Sequence, residues 1–263
     1  MNERLHWFFV IGVQKSGTST LHEWLAQSAE VALPWTKETH FFRDIEKYSK
    51  GVEWYSNQFK NVNENVKVFG EVDPEYMYFS ECLPRIKANF PNPKLIMILR
   101  DPVSRAISHY RMSQRRGYET LAFRDALIQE PERLERGGKF SRIHHSYLDR
   151  GLYVDQIKRL RFQFPDAELL VLKYEDLYSS QELAVSSLLR LCDFIGIDSS
   201  EIHIDVSVKH NEATLPKSAF LRDMVYGKGK LKKVVGKFLP SREIKIRIIR
   251  FIEKLNTTSA ESG

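Results

Sequence analysis

The chain has 263 residues, 42% hydrophobic and 28% charged, a balance that excludes a disordered chain and provides enough apolar surface for one large core. Its 40 Lys and Arg against 34 Asp and Glu leave a net charge of +6, which favours an anionic ligand without choosing among nucleotide, sulfated sugar, nucleic acid and membrane surface. The two cysteines, Cys82 and Cys192, stand far apart with no CxxC neighbour; neither a zinc site nor a disulfide framework is indicated, and a reducing compartment, the cytoplasm, fits best.

No run approaches the roughly 20 apolar residues that span a bilayer, so no stable membrane insertion is expected. In chain order, residues 6–13 read as a first buried strand rather than a signal sequence. A glycine-punctuated turn follows, then a helix starting near Ser19. Further strands are expected at 67–72, 94–99 and 168–173; the run Lys94-Leu95-Ile96-Met97-Ile98-Leu99 is apolar enough for a central strand covered on both faces. Helices are expected from Pro102, where proline suits the first turn, and from Tyr153, which spaces Ile157, Leu160 and Phe164 on one side. Another covers 181–195, with Gly196 at its C-cap.

From 196 to 241 the pattern weakens. The basic stretch Gly227-Lys228-Gly229-Lys230-Leu231-Lys232-Lys233 reads as a loop or lid, 242–255 as an amphipathic run, and 256–263 as a tail expected to fray. The alternation predicts an α/β class: one domain over 1–263, P-loop-like, with a central parallel sheet flanked by helices. Its core lies at about 6–195 and a loop and helical region at about 196–255.

The strongest local signal is Gly12-Val13-Gln14-Lys15-Ser16-Gly17-Thr18-Ser19-Thr20 between a strand and a helix. Such a turn aims backbone N–H groups and the positive end of a helix at one point, which binds phosphate. It departs from GxxxxGK[ST] because Thr18 occupies the lysine position and the lysine comes earlier, at 15. That weakens an ATP- and magnesium-dependent kinase without removing it as the alternative. A second anion site is expected where Leu99-Arg100-Asp101-Pro102 leaves the most apolar strand: Arg100 can grip a phosphate with two hydrogen bonds, and Ser108 follows about two helical turns on.

Together these segments resemble the sulfotransferases that use 3′-phosphoadenosine 5′-phosphosulfate (PAPS). The Lys15-Ser16-Gly17-Thr18-Ser19 loop is similar to their 5′-phosphosulfate loop, nearest the glycan-modifying heparan sulfate branch. Residues 100–110 match the 3′-phosphate motif R-D-P-x-x-R-x-x-S-x-Y with Arg100, Asp101, Pro102, Arg105, Ser108 and Tyr110. The resemblance implies that Lys15 contacts the bridging region of the phosphosulfate and that Ser16, Gly17, Thr18, Ser19 and Thr20 hold the 5′-phosphate. It assigns the 3′-phosphate to Arg100 and Ser108, with Arg105 structural. Arg150-Gly151-Leu152-Tyr153 resembles a further family segment. The family's C-terminal Lys-Gly-Arg loop is missing, with Lys209, Asn211 or Lys217 as candidate substitutes.

Transfer needs a group to take the acceptor's proton. Phe69-Gly70-Glu71-Val72-Asp73-Pro74-Glu75-Tyr76 ends a strand where open α/β sheets build their sites, and it resembles the motif whose glutamate is the family's proposed base. Glu71 is therefore ranked first. His40, in the E-x-H-F-F-like Lys37-Glu38-Thr39-His40-Phe41-Phe42, is ranked second, and Lys37 is a candidate for steering an anionic acceptor. Val72 stands where the family usually has lysine.

The expected function is sulfuryl transfer from PAPS, leaving 3′-phosphoadenosine 5′-phosphate (PAP), to a hydroxyl or amine, with a glycan or small molecule as acceptor and no metal or nucleic acid. A lipid or secondary-metabolite acceptor and a non-catalytic nucleotide-binding protein stay open, and oligomeric state is not readable.

Overall fold

The computed structural model describes residues 6–59 and 62–206 and the strands Thr214–Pro216 and Thr257–Ser259. The basic stretch at 227–233, the run at 242–255 and the candidates Lys209, Asn211 and Lys217 lie outside the described residues. The chain divides into two compact units, Met1–Arg105 with Leu152–His210, and Ala106–Gly151 with Asn211–Gly263.

In the first unit β1 (His6–Gly12), α1 (Thr18–Leu25), β2 (Val31–Ala32), α2 (Ile45–Tyr48), α3 (Gly51–Ser56), β3 (Val68–Val72), α4 (Cys82–Asn89) and β4 (Lys94–Leu99) follow in order. Helix α5 (Pro102–Arg115) begins there and continues into the second unit, which adds α6 (Phe123–Arg136), α7 (Gly138–His144) and a 3-10 turn at Asp149–Gly151. The first unit resumes with α8 (Tyr153–Gln163), β5 (Leu169–Lys173), α9 (Tyr174–Tyr178) and α10 (Gln181–Ile195). β6 (Thr214–Pro216) and β7 (Thr257–Ser259) form an antiparallel pair in the second unit. This corrects the expectation that residues 256–263 fray throughout: Thr257 and Thr258 are β-branched and favour an extended, paired chain.

The five-stranded sheet has the order β2-β3-β1-β4-β5, every pair parallel. Four of these strands fall within a residue of their expected positions. The fifth, β2, has two residues, too few to show a period in the sequence. Along β1 the side chains alternate between faces, as the pleat requires. Phe8 and Val10 join Leu21, Trp24 and Leu25 of α1 and Leu188, Leu191 and Ile195 of α10 in one core cluster. Trp7 and Phe9 instead enter an aromatic layer with Phe42, Tyr55, Phe59, Phe69 and Phe90. Each fully buried ring or branched side chain contributes about 1.5–3 kcal/mol relative to exposure. Gly70 sits opposite Phe8 in the ladder, and a Cβ there would come within 1.9 Å of the Phe8 ring. The residue is glycine because that space belongs to phenylalanine.

β3 and β4 are consecutive in the chain yet flank β1 on opposite sides. The crossing makes β1 a switch point, and ligands of open parallel sheets bind beyond the carboxyl ends of strands at such a point. The ends of β3, β1 and β4 carry the segments at 71–76, 12–20 and 100–102.

In the second unit Ala106, Tyr110, Ala126 and Tyr147 form a small core. Glu119 is its polar centre, accepting hydrogen bonds from Arg133, the Tyr147 hydroxyl and the N–H groups of Thr120 and Leu121.

Candidate active site

The turn after β1 is held by backbone bonds on both sides. The Val13 N–H donates to the Ile98 carbonyl at 3.0 Å, which ties the turn to β4, and Thr20 N–H donates to Gly17 C=O at 3.0 Å to start α1. Lys15 and Gly17 have φ of 74° and 78°, and left-handed residues placed this way turn successive N–H groups toward one concavity. Gly17 has no alternative: a Cβ would lie 2.3 Å from the Tyr178 ring, whose hydroxyl donates to the Gly17 carbonyl at 2.8 Å. The wholly buried Ser16 hydroxyl donates to Val13 C=O. Thr18 and Thr20 are buried and Ser19 half-buried. The N–H groups of Thr18 and Ser19 open the helix and have no intrahelical acceptor. The cradle thus fits an anion and leaves no room for a side chain at 17.

Arg100 leaves the end of β4 under three restraints. Its Nη1 donates to the Lys15 carbonyl at 2.8 Å, its guanidinium lies 4.2 Å from the Tyr174 ring centroid, and its own carbonyl accepts from the Tyr153 hydroxyl at 2.9 Å. Asp101 accepts from the Ser104 N–H at 2.7 Å and so caps α5 ahead of Pro102. Arg105 is wholly buried. Ser108 is half-buried on the part of α5 that belongs to the second unit, where Tyr110 donates its hydroxyl to the Leu121 carbonyl. Arg150, also in the second unit, donates to Ser146 Oγ and to the Arg142 carbonyl.

Beyond β3 two carboxylates behave differently. Glu71 has no exposed surface; its Oε1 accepts from the Thr39 N–H at 2.6 Å and its Oε2 from the hydroxyls of Tyr55 at 2.7 Å and Tyr76 at 2.8 Å. Burial, and then the charge of Asp73, push its carboxyl up to about 7, against the pull of the Thr39 and Tyr55 hydrogen bonds. A value near 7 suits a general base, but a base must also touch the proton it removes. Access outweighs basicity here, and Glu71 is capped on both oxygens.

Asp73 is also fully buried, yet it serves an accessible group. Its Oδ2 lies 2.8 Å from His40 Nδ1 and accepts from the His40 N–H at 3.2 Å, while its Oδ1 accepts from Glu75 N–H at 3.1 Å. A carboxylate on Nδ1 selects the tautomer with its proton there and leaves Nε2 as the acceptor, an arrangement shared with hydrolytic triads. His40 Nε2 stands 3.9 Å from Glu38 Oε2, and the two side chains keep 28% and 33% of their surface exposed. His40 holds this position with φ 54°, a left-handed conformation of the kind that collects at functional sites. Glu38, His40 and Asp73 bring one donor atom each within 4.8 Å of the others, close enough for a metal. With Asp73 Oδ2 already engaged by the backbone N–H and the ring Nδ1 of His40, the cluster reads better as a proton relay.

Two links join this cluster to the phosphate turn. Lys37 Nζ donates to Glu38 Oε1 at 2.6 Å and reaches Thr18 Oγ1 at 3.4 Å. Gln14 Nε2 donates to Glu75 Oε1 at 3.2 Å, and Glu75 pairs with Arg43. The sequence points to Lys15, His40 and Glu71, whereas Glu38, Asp73 and Tyr178 are brought to the site only by the fold. An acid two positions before His40 was the available signal for Glu38. Asp73 is 33 positions from His40, and no spacing rule connects them.

An anion cradle after β1 and a histidine–carboxylate cluster beyond the neighbouring strand supply two things that group transfer needs, a seat for a phosphate-bearing donor and a proton acceptor. A family model described as "Sulfotransferase domain" matches residues 6–239. Over 193 residues the chain is 31% identical to heparan sulfate glucosamine 3-O-sulfotransferase 3A1 of Mus musculus, covering 72% of this chain and 45% of that protein. It is 39% identical over 108 residues to the membrane-associated sulfotransferase kil1 of Dictyostelium discoideum, 40% of this chain and 22% of that protein. A solved sulfotransferase from Alicyclobacillus acidocaldarius shares the fold with a TM-score of 0.64 and 25% identity, covering 88% of this chain and 96% of that one. The chain belongs to the sulfotransferase family, whose members draw on PAPS. It spans less than half the length of the two curated relatives named here.

Proposed function

We propose that this chain moves the sulfuryl group of PAPS to a carbohydrate hydroxyl or amine, with Glu38 and His40, rather than Glu71, taking the acceptor's proton. The observation that carries the reading is the meeting of the 12–20 cradle with the Glu38–His40–Asp73 cluster through Lys37, whose Nζ lies 3.4 Å from Thr18 Oγ1 of the first and 2.6 Å from Glu38 Oε1 of the second. The N–H groups of Gly17, Thr18 and Ser19 and the hydroxyls of Thr18, Ser19 and Thr20 would hold the 5′-phosphate, Ser16 would brace the turn through its bonds to the Val13 carbonyl, and Lys15 would face the bridging oxygen on which negative charge grows. Arg100 is assigned to the 3′-phosphate; the matching role of Ser108 rests on the sequence motif alone. Asp73 fixes the His40 ring, Nε2 or the adjacent Glu38 carboxylate accepts the proton, and Glu71 braces Thr39, Tyr55 and Tyr76 behind them.

A carbohydrate acceptor follows from the relative named for glucosamine 3-O-sulfation, which covers 72% of the chain. The buried free thiols of Cys82 and Cys192 suit a reducing, cytoplasmic setting. Among the described residues no helix is long and apolar enough to cross a membrane.

The test pairs calorimetry with label transfer. PAP should bind without magnesium and more tightly than ATP, and 35S from labelled PAPS should appear on heparan sulfate oligosaccharides. Magnesium-dependent binding of ATP in preference to PAP would replace this reading with the kinase.

A further inference from the structure

The two reacting sides share one cation. Lys37 lies on the segment leading into His40, with 20% of its side chain exposed, and its ammonium sits between the Glu38 carboxylate and the hydroxyl of Thr18, the first residue of α1. The neighbouring cations are committed differently. Arg43 pairs with Glu75, Lys47 donates to the Thr39 carbonyl, and Arg100 donates to the Lys15 carbonyl. Lys37 alone among these bridges a hydroxyl of the phosphate turn and a carboxylate of the proton-accepting pair.

We infer that Lys37 is a catalytic residue of the transfer, a second cation that holds the sulfuryl oxygens between the phosphate cradle and the acceptor. The inference rests on the sulfuryl-transfer reading above and adds a residue to it. An anion seated at the N-terminus of α1 beside Thr18 places its outer oxygens within a side-chain movement of Nζ. In the transfer the bond from sulfur to the bridging phosphate oxygen breaks, and its electron pair stays on that phosphate, beside Lys15. A new bond forms from sulfur to the acceptor oxygen or nitrogen, whose proton passes to Glu38 or His40. Lys37 neutralises the three peripheral sulfuryl oxygens as both bonds stretch, and its shift toward them loosens its grip on Glu38 as the proton arrives. Lysine suits the task because its ammonium is a compact charge on a flexible stem that can serve two anions in turn.

Lys37→Met removes the charge and keeps most of the stem. With labelled PAPS and the heparan sulfate oligosaccharide, kcat should fall about 100-fold, the scale for losing one preorganised donor to transition-state charge. PAP, which has no sulfuryl group, should bind within about threefold of wild type, showing a folded cradle, and Lys37→Arg should recover kcat to within about tenfold. A fall in kcat of less than tenfold overturns the inference. So does a loss of PAP affinity equal to the loss in kcat/KM with kcat unchanged, which would make Lys37 a ground-state binding group. If wild-type protein moves no label, the transfer reading fails and this inference with it. If wild type moves label and Lys37→Met matches it, this inference fails alone.

Discussion

The phosphate turn and the cluster beyond β3 lie at the ends of adjacent strands, but they are made of different material. The turn is backbone: left-handed residues at 15 and 17, N–H groups at the head of α1, and one carbonyl held by Tyr178. The cluster is side chain on side chain, with Asp73 behind His40, Tyr55 and Tyr76 over Glu71, and Lys37 against Glu38. A backbone site tolerates changes that keep its φ values and fails when they are lost. A side-chain site can lose one member and keep its shape, so its parts can be told apart by substitution.

The largest effect should come from Gly17→Ala. It forces a Cβ into a position with φ 78° and 2.3 Å from the Tyr178 ring, so the turn must open. PAP affinity should fall at least 100-fold by calorimetry; near-normal binding would mean the turn is not the phosphate site.

Glu71→Gln probes the other side through stability. The folded carboxyl titrates near 7 against a usual 4.5, so between those values the native state binds the extra proton, and stability attributable to Glu71 falls as pH rises from about 4.5 to about 7. The expected loss is up to about 3 kcal/mol in urea unfolding, and it should be missing in Glu71→Gln. Matching pH profiles for the two proteins would mean that Glu71 is not held as a buried, raised carboxyl. Tyr178→Phe is the smallest change, deleting one hydrogen bond to the Gly17 carbonyl and keeping the ring. It should weaken PAP binding about three- to tenfold, in line with about 1 kcal/mol for one net hydrogen bond. No change would show that Tyr178 shapes the turn by bulk alone.

The same contrast explains what could be read from the amino acids. Turn chemistry is local, so Lys15, Gly17 and the start of α1 were visible as a glycine-bounded run between an apolar strand and a helix. The strand ends were visible too, because β1, β3 and β4 carry their burial in composition, while β5, an edge strand with only Leu172 buried, shows as a short run of Leu and Val. Roles in the cluster depend on contacts across long separations, such as Tyr55 with Glu71 and Asp73 with His40, 16 and 33 positions apart. A glutamate at the end of a strand looks the same in sequence whether it faces the cleft or lies under two tyrosines. Glu71 was therefore ranked first as base on its position, and its burial favours the pair in front of it. The two-residue β2 and the β6–β7 pair escaped for a simpler reason: strands so short carry no period to detect.

The most direct test of the account compares single-turnover sulfuryl transfer by His40→Ala, Glu38→Gln and Glu71→Gln, each first shown to bind PAP as wild type does. Transfer should survive in Glu71→Gln to within about tenfold and fall by at least 100-fold in one or both of the others, the scale of a lost general base. Transfer abolished by Glu71→Gln and retained by both His40→Ala and Glu38→Gln would contradict the account.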